Sequence, residues 1–283
     1  MRNNSDRIRP NEPSEPVDAF AQQSQQNSVF SFATPTEMVE LPSKGLYYKE
    51  GHPLQGKESV EIRFMTAKDE DILTSKSLLK QGIAIDRLIE NVILDKRIKA
   101  KDLLPGDRNA VLVASRISGF GSDYSTNITC PACATTSKFT FDLENVKPKE
   151  KPDYQELDIT LTDSGTFLTT LPRTKVEVEI KILDAKEESN LLASIDKQEK
   201  SGLPASSNTS YLSAIICSIN GEANRITINR FIDNMPSLDS RHIRSVHSAV
   251  TPNIDMKHHF GCPKCGHEQE VDIPITVDFF WSK

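Results

Sequence analysis

Two Cys-x-x-Cys pairs, separated by an unusually long stretch of chain, constrain the fold more than any other feature of the sequence. The pairs are Cys130-Pro131-Ala132-Cys133 and Cys262-Pro263-Lys264-Cys265, and 128 residues lie between them. Two residues between cysteines allow a tight turn to direct both sulfurs at one ion, and four thiolates complete the tetrahedral shell of a structural zinc. The sequence therefore predicts one structural zinc ion per chain, bound by Cys130, Cys133, Cys262 and Cys265.

Other uses of these cysteines are less consistent with the pattern. Two separate metal sites would need further ligands, and although His258, His259 and His267 flank the second pair, no histidine lies near the first. A redox dithiol is typically a lone pair beside a βαβ unit. A shell of four thiolates leaves no open coordination position, so we expect the zinc to stabilise the fold and not to catalyse a reaction.

Cysteine usage and charge indicate an intracellular protein. The fifth cysteine, Cys217, stands alone in an apolar segment, and the polar Met1–Pro16 has no apolar signal region, which together argue against a disulfide framework. Apolar runs are much shorter than the roughly 20 residues that span a bilayer, so we expect no membrane span. A net charge of -6 provides no general attraction to nucleic acid.

The N-terminal segment differs in composition from the remainder. Residues 1–36 contain several prolines and the run Gln22–Ser28. Such a stretch buries too little apolar surface to offset its ordering entropy, which predicts a disordered tail. Alternatively, the apolar residues of this segment dock on a partner: Phe20, Val29, Phe30 and Phe32.

The remainder contains an internal duplication. Val60–Glu70 matches Val178–Glu188 at a distance of 118 positions, and Asp107 precedes Cys130 by 23 residues, as Asp239 precedes Cys262. The second match has an offset of 132, so about 14 extra residues lie in the second half. The loop-like stretch 200–208 can hold many of these residues.

Each copy has the pattern of a strand, helices and a metal-binding hairpin. Val60–Met65 and Val176–Leu183 alternate apolar and polar residues, as half-buried strands do. Thr66 and Asp184 follow as helix N-caps. The predicted fold is therefore α+β, with two homologous repeats joined by the shared zinc knuckles. The predicted domains are a first repeat at 37–150 and a second repeat at 151–283.

No catalytic signature is recognisable in the sequence. It contains no Gly-rich phosphate loop, no Gly-x-Ser-x-Gly elbow and no His-Glu-x-x-His motif. The carboxylates Asp69, Glu70 and Asp71 lie at a predicted helix start, where they complement the helix dipole. We therefore expect no enzyme and no small-molecule substrate.

Several motifs of the first repeat resemble the baseplate hub family of T-even-type contractile-tailed bacteriophages. The resemblance covers about 40–150 well and the second repeat more loosely. It is carried by Leu41-Pro42-Ser43-Lys44-Gly45-Leu46-Tyr47, Ile62–Leu73, Asp107-Arg108 and the first Cys-Pro-x-Cys pair.

The resemblance implies a structural tail protein. Its location would be the tail baseplate of the virion, either in the hub or as a factor for hub assembly in the host cytoplasm, and its partners would be other tail proteins. The alternative is a zinc-ribbon nucleic-acid-binding protein, which would expose Lys and Arg around its knuckles. Here Lys138, Lys257 and Lys264 are balanced by acidic residues: Asp142, Glu268, Glu270 and Asp272.

One loop distinguishes the two repeats. Leu46–Ser59 precedes the first strand, whereas the second repeat has no such insertion. Tyr47 and Tyr48 in this loop are suited to partner binding, because aromatic side chains bury large areas at low entropic cost. Alternatively, the two tyrosines cover the local core.

Overall fold

The described part of the computed structural model comprises residues 34–150, 152, 154, 157–200, 207–273, 275 and 277–281. The tail predicted for residues 1–36 lies outside this part except for its last three residues, and a strand already begins at Thr36. Helices and short antiparallel strands alternate along the described residues, which confirms the α+β class.

The first half contains two hairpins with helices between them. In chain order its elements are β1 (Thr36–Glu40), β2 (Ser59–Arg63), α1 (Ala67–Thr74), α2 (Lys76–Lys80), α3 (Ala84–Val92), a 3-10 turn (Ala100–Asp102), α4 (Pro105–Phe120), β3 (Asp123–Thr129), β4 (Thr136–Asp142) and a second 3-10 turn (Leu143–Asn145). Strand β1 pairs with β2, and β3 with β4, both antiparallel.

The second half contains a larger sheet and ends on another hairpin. Its elements are β5 (Ile159–Leu161), β6 (Phe167–Thr170), β7 (Glu177–Ile180), α5 (Ala185–Lys200), α6 (Ser207–Ile215), β8 (Ile216–Ile219), α7 (Arg225–Asp233), α8 (Ser237–Val250), β9 (Lys257–Gly261), β10 (Glu268–Asp272) and a 3-10 turn (Val277–Phe280). The four-stranded sheet has the order β5-β6-β7-β8, and β9 pairs with β10.

The helices α1 and α5 start with the same type of cap. The Thr66 amide and hydroxyl donate to Asp69 of α1, which also forms a bidentate ion pair with Arg63. The second half repeats this arrangement at Asp184, whose carboxylate accepts from the Glu187 amide, while Glu187 pairs with Lys181. Both caps satisfy amides that lack partners within the helix.

A buried aspartate lies at the third position of both α4 and α8, where it complements the helix dipole. Asp107 accepts from the Ser43 amide at 3.0 Å, the Ser43 hydroxyl at 2.6 Å and the Tyr48 hydroxyl at 2.7 Å. Asp239 accepts from the amides of Arg173 at 2.8 Å and Thr174 at 3.0 Å. Each carboxylate therefore fixes a turn, the first before β2 and the second before β7.

The two halves share one hydrophobic core, and the described residues from Pro35 onward form one compact unit. Gly106 in α4 lies against the Pro252–Asn253 backbone, and a Cβ atom at that position would be 2.1 Å from the Pro252 carbonyl oxygen. A side chain would therefore push the halves apart at this point. Among the described helices, none is both long and apolar enough to cross a membrane.

His247 in α8 is a buried histidine whose Nδ1 lies 2.7 Å from the Tyr211 hydroxyl. Burial lowers the pKa of its imidazole from 6.5 to about 4. Between these values the unfolded chain binds a proton that the folded protein excludes, so stability falls as the pH drops.

We expect this effect to cost at most about 3 kcal/mol, and to shrink in His247→Asn, which keeps an acceptor for Tyr211. The measurement is the urea midpoint at about pH 7 and about pH 5 in both proteins, so that losses from other groups cancel. An equal acid-induced loss in both proteins would contradict the assignment.

Candidate metal centre

Each Cys-x-x-Cys pair forms the turn of a two-stranded hairpin. In the β3–β4 hairpin the Cys130 amide donates to the Thr135 carbonyl at 3.0 Å, and in the β9–β10 hairpin the Cys262 amide donates to the His267 carbonyl at 2.8 Å. Both turns pass through a residue with positive φ, 55° at Ala134 and 70° at Gly266. The two knuckles therefore have the same backbone form.

The structure brings the four cysteine sulfurs together although the two pairs are far apart in sequence. All four Sγ atoms lie within 4.8 Å of one another. The Cys130 and Cys265 sulfurs are 3.7 Å apart, as are those of Cys133 and Cys262. Each knuckle thus contributes one buried thiol and one more accessible thiol: Cys130 and Cys262 are buried, Cys133 is half-buried and Cys265 is exposed.

The spacing fits a tetrahedral metal and excludes disulfides in this conformation. With a Zn–S distance of about 2.3 Å, a regular tetrahedron places its sulfurs about 3.8 Å apart. A disulfide would require about 2.05 Å. The four cysteines can therefore surround one zinc ion with little rearrangement, and all four positions of the shell would be filled by protein.

The turns also supply groups that stabilise thiolates. Hydrogen bonds from the Thr135 side chain and amide lower the pKa of the Cys133 thiol to about 6. Amides of Cys265 and Lys264 lower the pKa of Cys262. The His267 amide likewise acts to lower the pKa of the Cys265 thiol. Hydrogen bonds between this thiol and the other three thiols, together with the loss of water around it, outweigh that effect and raise its pKa to about 12. Neighbouring thiolates repel one another, and a bound cation relieves this repulsion.

Aromatic side chains hold the two hairpins together beside the cysteines. The Phe139 ring lies 5.5 Å from the Phe260 ring, and the Phe141 ring lies 4.9 Å from the His258 imidazole. These contacts join β4 to β9, so the knuckles have a preformed relative position.

The candidate alternative ligands lie outside the cluster. His258 packs on Phe141, and His259 lies 3.6 Å from the Glu268 carboxylate. Within the described residues, the group that could hold a metal consists of the four cysteines. The fifth cysteine, Cys217 in β8, lies elsewhere, and burial raises the pKa of its thiol.

The two tyrosines predicted to bind a partner have different surroundings. Tyr48 is only 8% exposed, and its hydroxyl donates to Asp107 and accepts from the Leu104 amide at 3.2 Å. Tyr48 therefore belongs to the core in this structure, because a side chain that anchors a partner must be accessible. Tyr47 is half-buried against Phe167, with 5.7 Å between ring centroids, and part of it reaches the surface.

Sequence reasoning missed the role of Ser43 and Asp107. In the sequence, Ser43 and Asp107 stand out only as parts of the motifs that carry the family resemblance, and Asp107 also as a point in a spacing match. The signal was present in the sequence, because Leu-Pro precedes the donors in both halves, at Leu41-Pro42 and Leu171-Pro172. Both leucines are fully buried.

Comparison with known proteins gives one match. A family model described as T4 bacteriophage base plate protein matches residues 38–281. The comparisons with curated proteins and with solved structures give no match.

Proposed function

This chain belongs to the T4 bacteriophage base plate protein family, and from that premise we propose that it is a structural component of the baseplate hub or a factor for hub assembly. The family match carries the proposal, because it covers nearly all of the described residues. Its partners are then other tail proteins, its location is the virion tail, and assembly takes place in the host cytoplasm. The role is structural and not enzymatic.

A structural zinc in the four-cysteine cluster is part of this proposal. The residues that would bind the ion are Cys130, Cys133, Cys262 and Cys265. The sulfur spacing supports a tetrahedral shell of thiolates, which leaves no position for a substrate or water. The ion would lock one hairpin of each half to the other, and it would make the body rigid without a larger core.

We also propose that the two halves are copies of one unit, with 37–150 as the first and 151–283 as the second. The paired caps support this proposal, since Arg63 and Asp69 correspond to Lys181 and Glu187 at the same distance of 118 positions. The buried Asp107 and Asp239, 132 positions apart, support it as well. A structural tail protein binds its neighbours through specific surfaces. Two similar but not identical units provide two different surfaces.

Charge near the knuckles disfavours the alternative, a zinc-ribbon nucleic-acid-binding protein. Around the second knuckle, Lys257 pairs with Glu270 at 3.6 Å and His259 lies near Glu268. Phosphate binding needs unpaired basic side chains on one face. Salt-sensitive binding of the purified protein to DNA would favour this alternative.

Deletion of the gene from its phage tests the proposed function. We expect few tailed particles by electron microscopy, and restoration by the wild-type protein supplied from a plasmid. Mass spectrometry of purified virions then distinguishes a resident hub component from an assembly factor. Normal tailed particles without the gene would overturn the proposal.

Tyr47 remains the candidate for a partner contact in the 46–59 loop. The neighbouring Leu46 is exposed, so the two side chains present apolar surface beside each other. Tyr47→Ala in the same complementation assay would test this contact, with Tyr47→Phe as the matched control that keeps the ring.

A further inference from the structure

The two halves differ at the outer edge of their first hairpin. In the second half, β5 pairs with the outer edge of β6, giving the order β5-β6-β7. In the first half, β1 pairs with β2, and no other strand in the described part of the chain pairs with β1. Among the described residues, the outer edge of β1 is therefore open where the corresponding edge of β6 is covered.

Strands β1 and β6 occupy corresponding places. Each runs into a Leu-Pro turn, Leu41-Pro42 after β1 and Leu171-Pro172 after β6, and each turn then donates to the buried aspartate of its own half. Alignment on these turns places Met38 opposite Leu168, 130 positions apart. Leu168 is paired with Thr160 of β5, so Met38 is the position at which a strand added to β1 would pair in the same way. It is also the middle residue of β1.

The hydrogen-bond pattern identifies which backbone groups are available. The Leu41 amide donates to the Glu58 carbonyl, and the Phe64 amide donates to the Pro35 carbonyl. Since hydrogen-bonded pairs alternate along antiparallel strands, the amide and carbonyl of Met38 point away from β2. The Met38 side chain is 62% exposed. A polar backbone edge beside an exposed apolar side chain is a template for strand addition.

The side chains at this edge indicate the charge of the missing strand. Glu37 has an enclosed carboxylate oxygen, Oε1, with no hydrogen-bond partner among the described residues. Burial raises the pKa of Glu37, because no neighbouring cation offsets the loss of water. Glu40 on β1 and Glu61 opposite Met38 add further negative charge. Arg63, the basic residue of β2, is already paired with Asp69.

We propose that an extended segment of a neighbouring baseplate protein adds antiparallel to the outer edge of β1, with a lysine or arginine opposite Glu37 and an apolar residue opposite Val39. The main chain of Met38 supplies the pairing, as Leu168 does for β5. The cation satisfies Glu37, and main-chain pairing with alternating side chains gives the specificity. The nature of the partner rests on the proposed function.

Proline substitution provides a matched pair of variants. Met38→Pro removes an amide that faces the open edge, so we expect a change in melting temperature of at most about 2 °C. Leu168→Pro removes the amide that pairs with β5, so we expect this variant to melt several degrees lower. In phage complementation Met38→Pro should give far fewer tailed particles, although the protein is folded and soluble.

A short synthetic peptide tests the charge of the partner strand. Its sequence is threonine, isoleucine, threonine, lysine, threonine, and a control peptide carries glutamate in place of lysine. We expect the lysine peptide to shift backbone NMR signals of residues 36–40 in the full chain. The glutamate peptide should bind at least about fivefold more weakly than the lysine peptide. In Glu37→Lys this preference should be reversed, so that the glutamate peptide binds more tightly.

Three results would overturn the inference. Equal destabilisation by Met38→Pro and Leu168→Pro would show that the edge of β1 is already paired within the chain. Peptide shifts away from 36–40, or shifts that do not depend on charge, would exclude a basic strand at this place. Normal tailed particles with Met38→Pro would show that no partner strand is needed at this edge. The proposed function would still stand in that case if deletion of the gene abolished tails.

Discussion

Substitution of Cys130 by serine is expected to abolish zinc binding and to destabilise the protein strongly. The remaining three thiolates cannot complete the shell. Structural zinc contributes roughly 10 kcal/mol or more in small zinc-finger peptides, whereas a whole domain is stable by only about 5–15 kcal/mol. Cys130 is fully buried between the hairpins, so the loss falls on the contact between the two halves.

The measurement combines metal content with thermal unfolding. We expect elemental analysis to find one zinc per wild-type chain and none in Cys130→Ser or Cys262→Ser. Both variants should melt more than about 10 °C lower than wild type. Cys217→Ser is the matched control, because it removes a thiol outside the cluster and should keep both the metal and most of the stability.

Chelation gives an independent check on the same site. Removal of zinc from the wild-type protein should lower its melting temperature close to that of Cys130→Ser, and chelator should have little further effect on the variant. Two zinc ions per chain, or none in protein purified with zinc present, would contradict the shared site. Equal stability of Cys130→Ser and Cys217→Ser would show that the cluster does not stabilise the fold.

Local signals in the sequence were sufficient for the hairpin turns at the knuckles and for the helix start after Thr66. Cys-Pro-x-Cys within alternating polar and apolar residues predicts a hairpin turn, because the turn geometry depends only on neighbouring residues. Thr66 predicts the start of α1 for the same reason, and the capping hydrogen bonds to Asp69 are present. The pairing of knuckles 128 residues apart could be predicted only from their ligand count.

Short strands that pair with distant segments of the chain were harder to predict from the sequence. Strands β1 and β6 were not predicted, because two apolar residues are adjacent in each, Met38-Val39 and Phe167-Leu168, and interrupt the alternation that indicates a strand. Their pairing with β2 and β7 depends on the Leu-Pro turns. Tyr48 illustrates a related problem, since its burial follows from a hydrogen bond to Asp107, which lies 59 positions away.

The fold connects these local elements to the proposed role. The aspartates fix the turns before β2 and β7, the turns position the hairpins, and the knuckles at the far end of α4 and α8 join the halves. In the proposed structural role, such cross-links would add rigidity without a larger core. A metal bound at the cysteines and the two aspartates would therefore stabilise opposite ends of each half.

Replacement of Asp107 by alanine is the second change for which we expect a large effect. Asp107 is fully buried and accepts three hydrogen bonds, two from Ser43 and one from Tyr48. Alanine would leave three buried donors without an acceptor, at about 1–3 kcal/mol each where they cannot reach water. We expect the free energy of unfolding to fall by about 3–5 kcal/mol.

Matched variants separate the contributions at this site. Burial raises the pKa of Asp107 although the three donors act to lower it, so the charge itself adds little and Asp107→Asn should cost clearly less than Asp107→Ala. Asp239→Ala leaves two amides without an acceptor, compared with three donors in Asp107→Ala. Its free energy of unfolding should therefore also fall by less. Urea unfolding of the three variants with zinc bound gives this order directly. If Asp107→Ala is as stable as wild type, or if Asp107→Asn is no better than alanine, the carboxylate does not fix the turn before β2. The equivalence of Asp107 and Asp239 would then lose its physical basis as well.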